Sequence, residues 1–237
     1  MFILKKQDFY KGNRKNSIVN AKNKNAVIWY AKDAFDPSEN LNGRRVAGAS
    51  FLKGYFDHAE ADEFVSLVNG RGGAEEFKAI AKQYGVTRPV RSVFRSETAK
   101  VFPLDSIFIS TPNFHQQLWQ RSHFGHNSYS VCGLTHTIST AAVMEGMYHM
   151  RHAPPQEWDG IICTSPAVRS SLEYLFDRVE SYLLDRFGKV PARPQLPVIP
   201  LGVNTQDFVA DPQLRAALRS ENGWGEDDVV FLTVARL

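Results

Sequence analysis

Short, wholly apolar runs alternate with helix-period stretches from Ala26 onward, and no other feature limits the possible folds so narrowly. Residues 26–30 (AVIWY), 63–68, 106–110 (SIFIS), 129–137, 160–164 (GIICT), 196–200 and 229–235 (VVFLTVA) each read as a strand. Between them, helical periodicity is expected over residues 46–58, 73–84, 114–124, from Ser139 towards Met150, over 166–187 and over 211–222. The clearest helix start is Ser165-Pro166, a capping hydroxyl followed by a proline whose missing N–H costs nothing there. Val168, Leu172, Leu175, Val179, Leu183 and Phe187 then recur at spacings of three and four, and Gly188 and Pro191 end the helix. Strands that are apolar throughout must be covered on both faces, which requires parallel pairing with helical crossovers. The expected class is therefore α/β, a doubly wound parallel sheet.

Charge is unevenly distributed. Residues 1–25 carry seven Lys/Arg against Asp8 alone, so this segment is +6 within a net charge of +3 and the remainder is −3. A mildly acidic body argues against nucleic acid as a partner, because that function needs a basic face on the folded domain. The basic segment reads as a solvated lead-in, with contact at an anionic membrane surface as its alternative. No apolar run approaches the roughly 20 residues of a membrane span. The start MFILKK also lacks the charge-then-apolar order of a secretory signal. A cytoplasmic protein, peripheral to a membrane at most, is expected. Cys132 and Cys163 fall inside strands and read as buried reduced thiols.

In doubly wound sheets, ligands bind beyond the carboxyl ends of the strands. The residues there are therefore the functional candidates. The first strand is followed by Asn42-Gly43-Arg44-Arg45-Val46-Ala47-Gly48, a glycine loop opening a helix, where backbone N–H groups can meet an anion. SIFIS is followed by Thr111-Pro112-Asn113-Phe114-His115, and the next strand by Thr135-His136-Thr137. Taken singly, each also suits an ordinary turn. His123/His126 and His149/His152 are spaced by three, but no Glu-x-x-His or cysteine cluster completes a ligand set, so no metal is expected. Phe114, Leu118, Trp119 and Phe124 read as core, with acceptor or membrane contact as the alternative.

These residues bring the chain to a resemblance. Leu196-Pro-Val-Ile-Pro-Leu-Gly-Val-Asn204 through Phe208 is similar to the "(I/V)PNGVD…F" junction of glycosyltransferase family four. Residues 230–237 (VFLTVARL) resemble the strand opening that family's second domain. Thr135-His136-Thr137 resembles its His-Thr site, Gly43 its glycine after the first strand, and residues 162–172 the step between these motifs. Ala235, Leu201 and Asn204 stand where the family usually has Gly, Asn and Asp.

The resemblance implies a Rossmann-like, GT-B N-terminal acceptor domain over residues 26–205. Residues 206–237 would be a linker helix and the first strand of a C-terminal donor domain missing from this chain. It implies sugar transfer, with retention, from a nucleoside-diphosphate donor to a hydroxyl of a glycan, lipid or small-molecule acceptor. The nucleotide sugar serves as co-substrate, and no cofactor is needed. His136 would contact the transferred sugar as the catalytic-site residue. Gly43 and Arg44 would face the donor phosphates, Asn113 and Thr137 would line the acceptor side, Gly202 would keep the hinge backbone close, and Arg236 would meet the diphosphate. The chain alone would then be inactive. The competing expectations are a stand-alone Rossmann-like binding or partner subunit, and a GT-B enzyme of another reaction.

Overall fold

The computed structural model describes residues 26–36, 38, 42–205 and 209–233. They form two compact units that part between Gly202 and Val203.

The first unit is built on six strands: β1 (Ala26–Trp29), β2 (Phe64–Val68), β3 (Val90–Phe94), β4 (Ser106–Ile109), β5 (Ser130–Leu134) and β6 (Gly160–Ile162). All neighbours pair in parallel in the order β3-β2-β1-β4-β5-β6, which is the doubly wound, Rossmann-like arrangement. Winding reverses between β1 and β4, where Val27 sits opposite both Val65 and Ile107. The crossovers are α1 (Lys32–Phe35) and α2 (Gly43–His58), α3 (Arg71–Gln83), a 3₁₀ turn (Arg95–Val101), α4 (His115–Ser122) and α5 (Ala141–Met150). After β6 comes α6 (Pro166–Phe187).

The period-two geometry of a strand divides the core. Val27, Val65, Leu67, Ile107, Ile109 and Val131 pack to one side with Leu118, Met147, Leu172 and Phe176 of α4, α5 and α6. Ile28, Phe64, Val68, Phe108 and Leu134 pack to the other with Leu52, Phe56, Phe77 and Ala81 of α2 and α3. Each such side chain contributes about 1.5–3 kcal/mol on burial. The capping signals at α6 act as the sequence suggests. Ser165 accepts from the Val168 N–H at 3.2 Å, and Gly188 closes the helix at φ 68°. The buried stripe runs Leu172, Phe176, Val179, Leu183.

Several expectations are corrected. Strand β3 had no apolar run to announce it. It is an edge strand whose Val90, Arg91 and Ser92 stay half-buried, and Arg91 pairs with Glu63 on the surface. The loop after β1 contains the short helix α1. It packs so closely under α2 that a Cβ on Gly48 would lie 1.9 Å from the Ala34 carbonyl oxygen. The helix expected from Ser139 begins one residue later, capped by Thr140, which accepts from the Val143 N–H. The seventh strand forms only as two isolated parallel bridges, Gly160 to Gln195 and Cys163 to Val198. Pro194, Pro197 and Pro200 supply no N–H, so this edge keeps alternate ladder bonds such as Cys163 N–H to the Pro197 carbonyl. Of the aromatic group, Phe114 and Leu118 are fully buried and Phe124 packs against them, whereas Trp119 is half-exposed.

Arg121 and Asp159 form a polar knot inside the apolar core. Both side chains are 0% exposed, and they pair in bidentate fashion at 2.5 and 2.7 Å. Arg121 also donates to the carbonyls of Tyr129 and Pro154, and Asp159 accepts from the N–H groups of Val131 and Gln156. This fastens the end of α4 to the starts of β5 and β6.

The second unit holds α7 (Pro212–Asn222), capped by Asp211, which accepts from the N–H groups of Gln213 and Leu214, and closed by Gly223 at φ 69°. The strand expected at 229–235 does not form over 229–233. These residues find no sheet partner, and Phe231 is 93% exposed. An apolar strand needs a neighbour to satisfy its backbone, and none adjoins it among the described residues. Val234 and Ala235 lie outside them. Among the described residues, no helix is long and apolar enough to cross a membrane.

Candidate functional site at the strand carboxyl ends

The reversal between β1 and β4 opens the crevice where ligands bind in this architecture. Three loops border it, following β1, β4 and β5.

Beyond β1, Asn42 accepts from the Arg45 N–H at 3.0 Å and so starts α2. Gly43 is the first residue of that helix and is exposed. Nothing lies within 4 Å of the position a Cβ would take there. Arg44 reaches back to Asp33 in α1, donating through Nη2 to the carboxylate at 2.7 Å and to the Asp33 carbonyl at 3.0 Å. Both partners are exposed, so the pair adds little stability. Its effect is to give the guanidinium a defined place. Asp33 did not stand out in the sequence. Its position four residues past β1, in a loop rich in charge, is the signal that could have marked it.

Beyond β4, the chain turns through Ser110, Thr111 and Pro112 to Asn113. The Asn113 side chain donates to the Ala142 carbonyl at 2.9 Å, tying this loop to the first turn of α5. Gly146 makes room for it, since a Cβ there would lie 2.3 Å from the Asn113 side chain. The Asn113 Oδ1 is buried and has no partner among the described residues. A similar fit occurs at Gly133, where a Cβ would fall 2.6 Å from both the Thr111 carbonyl oxygen and the Phe114 ring. The β4 and β5 loops are thus packed against one another.

Beyond β5, the fully buried Thr135 donates from Oγ1 to the Ile162 carbonyl and accepts from the Thr164 N–H. This clamp binds the end of β5 to that of β6, and His136 follows directly. The imidazole is half-buried, and neither ring nitrogen is solvent-accessible or has a well-aligned partner among the described residues. Burial pulls its pKa below the ordinary value, and the positive Arg44 pulls in the same direction. The Ser110 backbone, close to the ring, opposes them. His136 is therefore neutral at neutral pH, with one N–H to donate and one lone pair to accept. Thr137 is exposed, its hydroxyl 3.0 Å from that of Ser139.

The structure thus brings His136 together with Arg44 from the β1 side and Ser110 from the β4 side. Asn113 is one loop turn away and Thr137 sits on the rim. Gly202 is exposed at the boundary of the two units, with nothing within 4 Å of a built Cβ. Arg236 lies outside the described residues. Elsewhere, His115 and His149 approach with ring centroids 5.2 Å apart, while His123 and His126 are exposed. Among the described residues, no group of three or more His, Cys, Asp or Glu could hold a metal ion.

No protein-family model matches the chain, and no curated protein sequence does. Among solved structures, the chain is similar to HepE of Anabaena, whose crystal structure was determined in complex with UDP. The TM-score is 0.52 at 13% sequence identity, and the match covers 84% of this chain and 50% of HepE. The two share a fold, and the chain spans about half the length of HepE.

Proposed function

We propose that the chain is the acceptor-side half of a GT-B glycosyltransferase. It would act with a donor domain to move a sugar, with retention, from a nucleoside diphosphate to a hydroxyl acceptor. The observation that carries this reading is the imidazole of His136. Two loops, from either side of the winding reversal, converge on a neutral ring whose nitrogens have no well-aligned partner among the described residues, the Ser110 backbone lying close to it. An unpaired buried polar group costs about 1–3 kcal/mol, a cost that a sugar hydroxyl entering the crevice would relieve. The shared fold with HepE, itself solved with UDP, adds support for a nucleotide-sugar co-substrate.

In this mechanism, His136 orients the transferred sugar by hydrogen bonding and does not attack it. Arg44, fixed by Asp33, supplies positive potential near the leaving diphosphate, whose charge grows in the transition state. Arg236 would add a second, bidentate guanidinium to the same group. Asn113 and Thr137 border the acceptor side, Gly43 leaves the start of α2 open to phosphate, and Gly202 belongs to the hinge. Residues 206–237 then begin the donor domain.

The test is calorimetric titration of nucleotide sugars into the complete protein, followed by turnover of wild type and His136→Ala. Turnover by His136→Ala within about twofold of wild type, a change under ~0.5 kcal/mol, would refute the role of His136. Nucleotide binding with no turnover for any acceptor would favour a binding subunit.

A further inference from the structure

A second cavity, of about 340 Å³, lies next to the crevice on the β1–β2 side. Its walls are the carboxyl end of β1 with Lys32 and Asp33, the β2–α3 turn with Asn69, Gly70 and Gly73, Glu76 one turn into α3, and Arg95. Arg95 is the unusual member. Its guanidinium stacks on Trp29 at 4.2 Å and donates to the Tyr30 carbonyl and the Asn69 side chain. Its buried Nε has no partner among the described residues, and no carboxylate lies within ion-pair distance there. Burial makes its charged form harder to hold, and the carboxylate of Asp33, nearby but not in contact, offsets this only in part. A partly desolvated cation with no counter-charge in contact is a standing cost that an anion would remove.

Two further features agree. Tyr30 is 2% exposed and shares the wall with Gly73, its ring 4.0 Å from where a Cβ on that glycine would sit. Its hydroxyl has no partner among the described residues, and burial keeps it protonated, hence a donor. The 13-residue α3 begins at Gly70 with no side-chain cap and no acidic residue in its first turn. Among the described residues, its leading amides and positive end therefore have no side-chain cap. Of the two carboxylates on the wall, Asp33 is paired with Arg44, and Glu76 faces Arg95 and the helix end.

We infer that this cavity receives an anionic group, phosphate or carboxylate, carried by the acceptor, with Arg95, the Tyr30 hydroxyl and the amides of α3 as its recognition set. Its description as an acceptor subsite rests on the transferase reading, whereas the binding itself does not.

The decisive variant is Gly70→Asp. Gly70 has an extended backbone and open space where a Cβ would go, so the aspartate fits. It would cap α3 and support the fold while placing a negative charge at the entrance. Titration of the chain with inorganic phosphate and glucose 6-phosphate, with glucose as the neutral control, should show binding of the phosphorylated probes only. Gly70→Asp should weaken that binding by roughly tenfold or more. Arg95→Ala should do the same, with Arg95→Lys recovering part of it. Flotation with phosphatidic acid vesicles against phosphatidylcholine vesicles separates the sources. Vesicle binding lost in Gly70→Asp points to a lipid headgroup, and binding of the soluble probes alone points to a small phosphorylated acceptor. Phosphate affinity unchanged by Gly70→Asp would overturn the inference regardless of transferase activity. Phosphate binding that depends on Gly70, with no nucleotide-sugar turnover by the complete protein, would keep the anion site and remove its role as acceptor subsite.

Discussion

Replacing Asp159 by alanine is expected to destabilise the fold by about 3–5 kcal/mol, the cost of leaving one member of a fully buried ion pair without its partner. The structure places this substitution at the severe end for identifiable reasons. The Arg121 guanidinium has no path to water, since both residues are 0% exposed. Its remaining bonds to the Tyr129 and Pro154 carbonyls satisfy hydrogens but do not balance charge. Asp159→Ala also strips the acceptors from the Val131 and Gln156 N–H groups, each worth about 1–3 kcal/mol if left buried and unpaired. These terms share atoms and do not add. Against a total stability of about 5–15 kcal/mol, the loss would leave a marginal protein. The assay is urea unfolding followed by circular dichroism, in which the midpoint should fall with little change in slope. Arg121→Met alone should be similarly harmful, and Arg121→Met combined with Asp159→Leu should cost clearly less than the sum of Arg121→Met and Asp159→Leu measured singly. A loss under ~1 kcal/mol for Asp159→Ala would refute the claim that the charges are dry and mutually dependent.

Three further outcomes are expected. Burial holds the pKa values of His115 and His136 below their ordinary 6.5, with His149 adding to the effect at His115 and Arg44 at His136. The unfolded chain then binds protons more readily, so stability should be level above about pH 6.5 and decline as pH falls through the folded pKa values. His136→Ala should flatten that decline, as read from denaturation midpoints across pH. Gly48→Ala should destabilise by about 1–3 kcal/mol, because its methyl would overlap the Ala34 carbonyl and push α1 from α2. A thermal midpoint equal to wild type would mean that the α1–α2 contact yields easily. Ser165→Ala should cost about 1 kcal/mol by removing the cap on the Val168 N–H, whereas Ser165→Asp should retain most of the stability in the same melting experiment.

Much of the fold was legible because parallel pairing imposes its own composition. Runs such as AVIW and SIFI have no polar face to turn to water, so they had to be buried between helices. Caps were equally local: Ser165-Pro166 and Gly188 bracket α6 by short-range chemistry that needs no knowledge of the rest of the chain. Strand β3 escaped notice for the same physical reason in reverse. At the sheet edge, half of VRSVF faces solvent, and its composition says so. Residues 229–233 illustrate the limit of the rule, since an apolar run becomes a strand only where another backbone pairs with it.

The sequence by itself determined that polar residues would follow several buried parallel strands, and it offered His136, Asn113 and Gly43 as candidates there. It did not contain the order in which those strands lie. That order, β3-β2-β1-β4-β5-β6, carries the loops after β1 and β4 to either side of one crevice and brings Arg44 towards His136 across 92 residues of chain. The pairing of Arg121 with Asp159 and the Arg95 Nε left without a partner among the described residues are likewise products of tertiary packing. Periodicity and capping depend on neighbours a few residues away. The accessibility, partners and pKa of a side chain depend on whatever distant segment the fold sets against it.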